Sequence, residues 1–151
     1  MISRRDILKY SALAGVASAL PTELLRAAHH EGLITRAIPK TGEKLPIVGL
    51  GTSASFRRLA ASDDVSQLEA VISTLLDGGA TVFDTAPSYG EAERVAGKIL
   101  QKMGAAEKVF WATKVNVVPR GGSTADADAA RAQIERSFEY IGKDPIDLIQ
   151  V

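Results

Sequence analysis

The chain has 151 residues, a formal net charge of +0 and 46% hydrophobic residues, enough apolar material for one globular domain with a real core. The balanced charge gives no reason to expect nucleic acid or an acidic membrane surface as a partner. There is no cysteine, which excludes disulfides, thiolate zinc sites and cysteine nucleophiles. The two histidines, His29 and His30, lie side by side near the N-terminus with no apparent ligand mates and read as solvated linker residues.

Residues 1–33 stand apart from the domain that follows. Ser3-Arg4-Arg5-Asp6-Ile7-Leu8-Lys9 resembles the twin-arginine export signal, with Ile7 where phenylalanine is more usual. A weakly apolar run over 11–20 comes next. It is too short for a stable membrane-spanning helix, which needs about 20 apolar residues, so no stable membrane anchor is expected. A basic start, a short apolar middle and the small residues Ala17, Ser18 and Ala19 compose an export signal. The plainer alternative is a surface helix that begins with two arginines. Two cleavage sites are open, at Ala17-Ser18-Ala19 and at Arg26-Ala27-Ala28. The resemblance implies the twin-arginine (Tat) export machinery as a partner and a periplasmic or otherwise exported location. It also implies a protein that folds, and loads any cofactor, before export.

Residues 34–39 and 45–52 are extended runs around Lys40-Thr41-Gly42-Glu43-Lys44, where Gly42 supplies the permissive backbone of a hairpin turn and Pro39 and Pro46 forbid helix. Ser62 or Asp63 is placed to cap a first helix, with Val65, Leu68, Ile72, Leu75 and Leu76 on one face and Gly78-Gly79 at its end. A short strand over 81–84 delivers Asp84. The turn Thr85-Ala86-Pro87-Ser88-Tyr89-Gly90 then presents Tyr89. A helix over 91–102 carries Val95, Ile99, Leu100 and Met103 on one side and stops at Gly104. The near-continuous apolar run over 109–114 is a strand of the kind buried on both faces in parallel sheets. After a polar loop with Gly121, Gly122 and Ser123, a helix over 126–141 is expected to bury Ala127, Ala130, Ile134, Phe138 and Ile141. Residues 145–151 begin a fourth strand.

Strand and helix alternating at this spacing predict a parallel sheet with right-handed crossovers. Gly49-Leu50-Gly51-Thr52-Ser53-Ala54 also fits a dinucleotide fingerprint, Gly-x-Gly-x-x-Ala. That motif needs a helix directly after its strand, and residues 53–62 show no helical apolar period, which argues against it. Four strand–helix units make half of an eight-stranded (β/α)8 barrel, which takes roughly 250 residues. The fold class expected is therefore α/β, a truncated TIM barrel of about four strands behind an N-terminal β-hairpin, occupying 34–151.

Asp84 and Lys114 each end a predicted strand, so neighbouring parallel strands would carry both to one rim, with Tyr89 in the loop above. Alternation turns Phe110, Ala112 and Lys114 one way and Trp111 and Thr113 the other, which makes Trp111 a core residue. A phenol has an unperturbed pKa of about 10. A neighbouring ammonium favours the phenolate, and a carboxylate can hold that ammonium in place. Such a trio can give a proton to an oxygen that is gaining charge. Singly, Asp84 would be a strand-end cap, Tyr89 a loop aromatic and Lys114 a solvated strand end. Their order and spacing together are the signal.

The segment Phe83-Asp84-Thr85-Ala86-Pro87-Ser88-Tyr89-Gly90-Glu91-Ala92-Glu93, with the strand Trp111-Ala112-Thr113-Lys114-Val115, resembles the active-site signature of the aldo-keto reductases. The hairpin and Gly49-Leu50-Gly51-Thr52 are similar to that family's barrel floor and first strand. The resemblance implies NADP, or NAD, as cofactor and a small carbonyl compound, an aldehyde or ketone, as substrate. It implies Asp84, Tyr89 and Lys114 as catalytic residues, and Thr52 and Asp84 beside the nicotinamide. Ser53 stands where the family often has tryptophan, which removes an aromatic wall. The family's fourth catalytic residue, a histidine, would follow Val151, and its main cofactor residues lie in later strands. A chain ending here is therefore expected to be an N-terminal half, inactive alone. The second reading is a non-catalytic relative of the same fold that binds nucleotide or another protein.

Overall fold

The computed structural model describes residues 32–118 and 121–151. The export-signal reading and the two histidines fall on residues 1–31, outside the described residues. Strands β1 (Thr35–Ala37) and β2 (Lys44–Pro46) form an antiparallel hairpin. Its turn is closed by Gly42 N–H donating to Ile38 O and Ile38 N–H donating to Glu43 O, with Gly42 at φ 76. Strands β3 (Gly49–Gly51), β4 (Val82–Asp84), β5 (Phe110–Lys114) and β6 (Leu148–Gln150) then build a separate parallel sheet in the order β3-β4-β5-β6. The run over 45–52 is thus shared between the two sheets.

Helices α1 (Ser55–Ala60), α2 (Ser66–Asp77), α3 (Ala92–Lys102) and α4 (Ala127–Ile141) connect the strands. Helix α1 corrects the reading of 53–62 as non-helical. It has only six residues, too few for a period to show, and is held by burying Phe56 and Ala60. Ser62 does not cap α2. Its hydroxyl donates to Leu59 O and Asp64 O, both at 2.7 Å, and so finishes α1. Asp64 takes over at the start of α2, its Oδ1 accepting from Ser66 N at 2.9 Å, and this bond holds its carboxyl below the usual range. Helix α4 is capped as its sequence suggests, Asp126 Oδ1 accepting from Ala129 N and Gly142 taking the left-handed conformation at φ 70.

The register sorts the sheet into rows. Leu50, Phe83 and Trp111 lie level and face the helices, where they join Phe56, Leu68, Ile72, Ile99, Leu100 and Ile141 in one core cluster. Phe83 and Trp111 are fully buried, with ring centroids 5.4 Å apart and tilted. The opposite face carries Val82 with Phe110 near the start of the strands, then Asp84 with Ala112 and Leu148, then Lys114 with Gln150 at the far end. Two expected core residues are at the surface. Met103 lies past the end of α3, and Ala127 sits in the first turn of α4, beyond the reach of the sheet. In their place α3 buries Glu93 and α4 buries Ser137.

Two close approaches fix this packing. A Cβ at Gly49 would stand 2.6 Å from Val82 O, so the first glycine of Gly49-Leu50-Gly51 is needed where β3 meets β4. A Cβ at Gly97 would stand 2.2 Å from Tyr140 O, which lets α3 and α4 touch backbone to backbone. At the N-terminal ends of the strands, Asp147 Oδ2 accepts from Trp111 N and Lys143 Nζ, each at 2.7 Å, tying the approach to β6 against β5. The hairpin residues Glu43, Lys44 and Leu45 line a cleft with Val109, Phe110 and Asp147, which places them at that same end. Gly97→Ala should destabilise the protein by roughly 1–3 kcal/mol despite alanine's helix preference, because overpacking forces the helices apart. Gly51→Ala, where a Cβ meets nothing within 4 Å, should cost much less in the same denaturant titration.

Candidate active site

The C-terminal ends of β4 and β5 present the groups of interest. Asp84 ends β4 and Lys114 ends β5, one row higher in the register. The lysine side chain therefore folds back over Ala112 toward the carboxylate. Its Nζ donates to Asp84 Oδ1 at 2.7 Å, to Asp84 Oδ2 at 2.9 Å and to Thr85 O at 3.0 Å. All three ammonium protons are thus placed, with both carboxylate oxygens engaged. The pair is half-exposed, Lys114 at 32% and Asp84 at 45% of side-chain surface, so it stays reachable from the rim.

Tyr89 closes the single turn Pro87–Tyr89 that follows β4, ahead of Gly90 at φ 61. Its half-buried ring packs against the core cluster, and Lys114 Nζ lies over the ring, 5.5 Å from the centroid. Among the described residues the Tyr89 hydroxyl has no hydrogen-bond partner. Asp84, Tyr89 and Lys114, picked out in the sequence, thus stand together at one end of the sheet. Gln150 was not picked out. It lies level with Lys114 at the end of β6, and its Nε2 donates to Asp84 Oδ2 at 3.3 Å. The only sequence signal for it was its strand parity with Leu148.

Thr52 stands just past the end of β3, beside Asp84. It has no exposed surface, and its backbone N–H and hydroxyl both donate to Asp84 O, at 2.9 and 3.2 Å. It holds the main chain that carries the carboxylate. A buried row on the helix side continues this support. Thr113 Oγ1 donates to Glu93 Oε1 at 2.5 Å, and Ser137 Oγ lies 3.2 Å from both carboxylate oxygens of Glu93. Burial pushes the Glu93 carboxyl above its ordinary 4.5, opposed by the Thr113 and Ser137 hydroxyls and by the charges of Arg136 and Lys114.

The dinucleotide fingerprint is excluded by topology rather than by a missing helix. A doubly wound sheet places its fourth strand beside its first, and the crevice between them binds the ligand. Here four strands follow one another in sequence order, with no such reversal. Among the described residues no group of three or more histidine, aspartate or glutamate side chains could hold a metal ion, and no helix is long and apolar enough to cross a membrane.

Strands wound in sequence order, helices on one face and a polar cluster at the strands' C-terminal ends define a (β/α)-barrel protein with its site at the usual rim. Residues 47–151 match the Aldo/keto reductase family, and the chain belongs to that family. It is 32% identical over 120 residues to aldo-keto reductase YhdN of Bacillus subtilis, covering 76% of this chain and 36% of the relative. It is 35% identical over 102 residues to aldo-keto reductase str7 of Strobilurus tenacellus, covering 68% and 29%. An aldo-keto reductase from Klebsiella pneumoniae, solved in complex with NADPH, superimposes with a TM-score of 0.56 at 25% identity, over 78% of this chain and 39% of that one. The chain thus spans about a third of the length of these relatives, and its four-stranded sheet is part of a (β/α)8 barrel.

The raised carboxyl of Glu93 has a consequence for stability. The folded state holds that proton more tightly than the unfolded chain, so the contribution is complete below pH 4.5 and is lost as pH rises through the higher folded value. Glu93→Gln should flatten that part of the stability–pH curve, measured by urea unfolding at a series of pH values.

Proposed function

We propose that the protein containing this chain reduces aldehydes or ketones with NADPH as hydride donor, and that Asp84, Tyr89 and Lys114 form the part of its active site carried here. One observation supports this most: the Lys114 ammonium is held by both oxygens of Asp84 while lying over the Tyr89 ring. When a carbonyl accepts hydride its oxygen becomes an alkoxide and needs a proton. The unpartnered Tyr89 hydroxyl supplies that proton. The Lys114 charge steadies the phenolate left behind, and Asp84 keeps the ammonium charged and aimed.

The residues present fit the nicotinamide end of such a cofactor. Asp84 keeps exposed carboxylate surface, and the Gln150 amide stands beside it; both can hydrogen-bond a carboxamide. The cofactor supplies hydride when bound; positioning, charge and the proton come from the protein. Among the described residues the outer edges of β3 and β6 are unpaired, so the 151-residue chain alone is expected to show no NADPH-dependent turnover.

We also propose that residues 1–33 direct export by the twin-arginine route to the periplasm, as the Arg4-Arg5 pair in its setting suggests. Replacing both arginines with lysine should leave a tagged protein in the cytoplasm, and fractionation reads the outcome. For the reaction, the complete reading frame that contains this chain should oxidise NADPH with simple aldehydes. Tyr89→Phe, which deletes only the acidic proton, should lower kcat by roughly 10²–10⁴-fold with little change in NADPH affinity. Unchanged turnover in that variant removes Tyr89 from the role assigned to it.

A further inference from the structure

The reaction as proposed uses nothing behind the sheet, yet the most completely buried acid among the described residues lies there. Glu93 is 2% exposed, sits in the first turn of α3, and takes hydrogen bonds from Thr113 on β5 and Ser137 on α4. Such a carboxylate is costly to keep. Its hydroxyl partners satisfy its oxygens but do not neutralise it, and a glutamine there would carry no charge to desolvate.

Its position suggests why the charge is kept. Thr113 is the residue immediately before Lys114, and parity puts their side chains on opposite faces of β5. The 2.5 Å bond from Thr113 Oγ1 therefore pins the last turn of β5 from the helix side, while Asp84 holds Lys114 from the rim side. The cationic groups acting on Glu93 are Arg136 on α4 and then Lys114. The other charged groups near the cluster are already paired: Asp84 with Lys114 itself, and Arg94 with Glu91.

We propose that Glu93 is a positioning residue for Lys114: its carboxylate fixes the end of β5 through the charge-assisted hydrogen bond from Thr113, so that Lys114 stays aligned at the rim. This rests on the role given to Lys114 above. The two ideas are separated by including a readout that needs no turnover.

The test uses the complete protein with lysine side chains isotopically labelled, and follows the Lys114 ammonium signal by NMR. Glu93→Gln keeps the shape and removes the charge. Thr113→Val keeps the volume and removes the hydrogen bond. In both variants the Lys114 signal is expected to move and broaden, because the end of β5 that aligns it against Asp84 is loosened. In steady-state assays kcat is expected to fall about tenfold with KM for the carbonyl compound within about twofold, as when an outer partner of a reacting group is lost. A Lys114 signal unchanged in both variants, whatever happens to the melting temperature, overturns the proposal and leaves Glu93 a purely structural residue. A shifted signal with unchanged kcat keeps the alignment and overturns its part in the reaction. Tyr89→Phe measured alongside reports on the catalytic reading separately, because it leaves Glu93 and Thr113 untouched.

Discussion

The contact between Lys114 Nζ and the two oxygens of Asp84 is the constraint to which the rest of the structure answers. It requires β4 and β5 to be parallel neighbours in one register, with Asp84 level with Ala112 so that Lys114 sits one row above. Small Ala112 leaves the space through which the lysine stem folds back. The register is held from the other face. A slip of one residue would carry Phe83 and Trp111, both fully buried, out of the helix layer and put charged Asp84 into it. Core packing and site geometry are therefore one requirement seen from two sides of the sheet.

The helix-side ends of the strands carry a second, polar layer. Thr52 holds the carbonyl of Asp84, and Thr113 is tied to Glu93. Buried hydroxyls suit this work, since each can give one bond and stay nearly apolar in bulk. They tie the rim that carries Asp84 and Lys114 into the body of the sheet and the helix layer. The opposite end is secured by Asp147 and Lys143 and by the hairpin, and carries none of the trio.

Strand order, the three crossovers and the joint arrival of Asp84, Tyr89 and Lys114 at one rim were legible in the sequence, because each rests on local period or on the length of a repeating unit. The features that escaped depend on partners far along the chain. Nothing local marks Gly49 as the point where Val82 comes close, Gly97 as the point where Tyr140 does, or Ser137 as the partner of Glu93. Helix α1 was missed because six residues are too few to show a period, and Ser62 was misassigned because a hydroxyl between two helices can serve either. The bond from the buried Thr52 hydroxyl to Asp84 O likewise joins residues 32 apart, which no local pattern marks. Gln150 reads as an ordinary strand residue until the register sets it beside Lys114.

The central claim is that Asp84 and Lys114 act on Tyr89 as a single unit rather than as two separate groups. A double-mutant cycle on kcat/KM, with Asp84→Asn, Lys114→Met and the two combined in the complete reading frame, measures this directly. A double variant no slower than the slower single variant is the result expected of a unit whose function either loss already ends. Losses that multiply, with no coupling between the two positions, would contradict it.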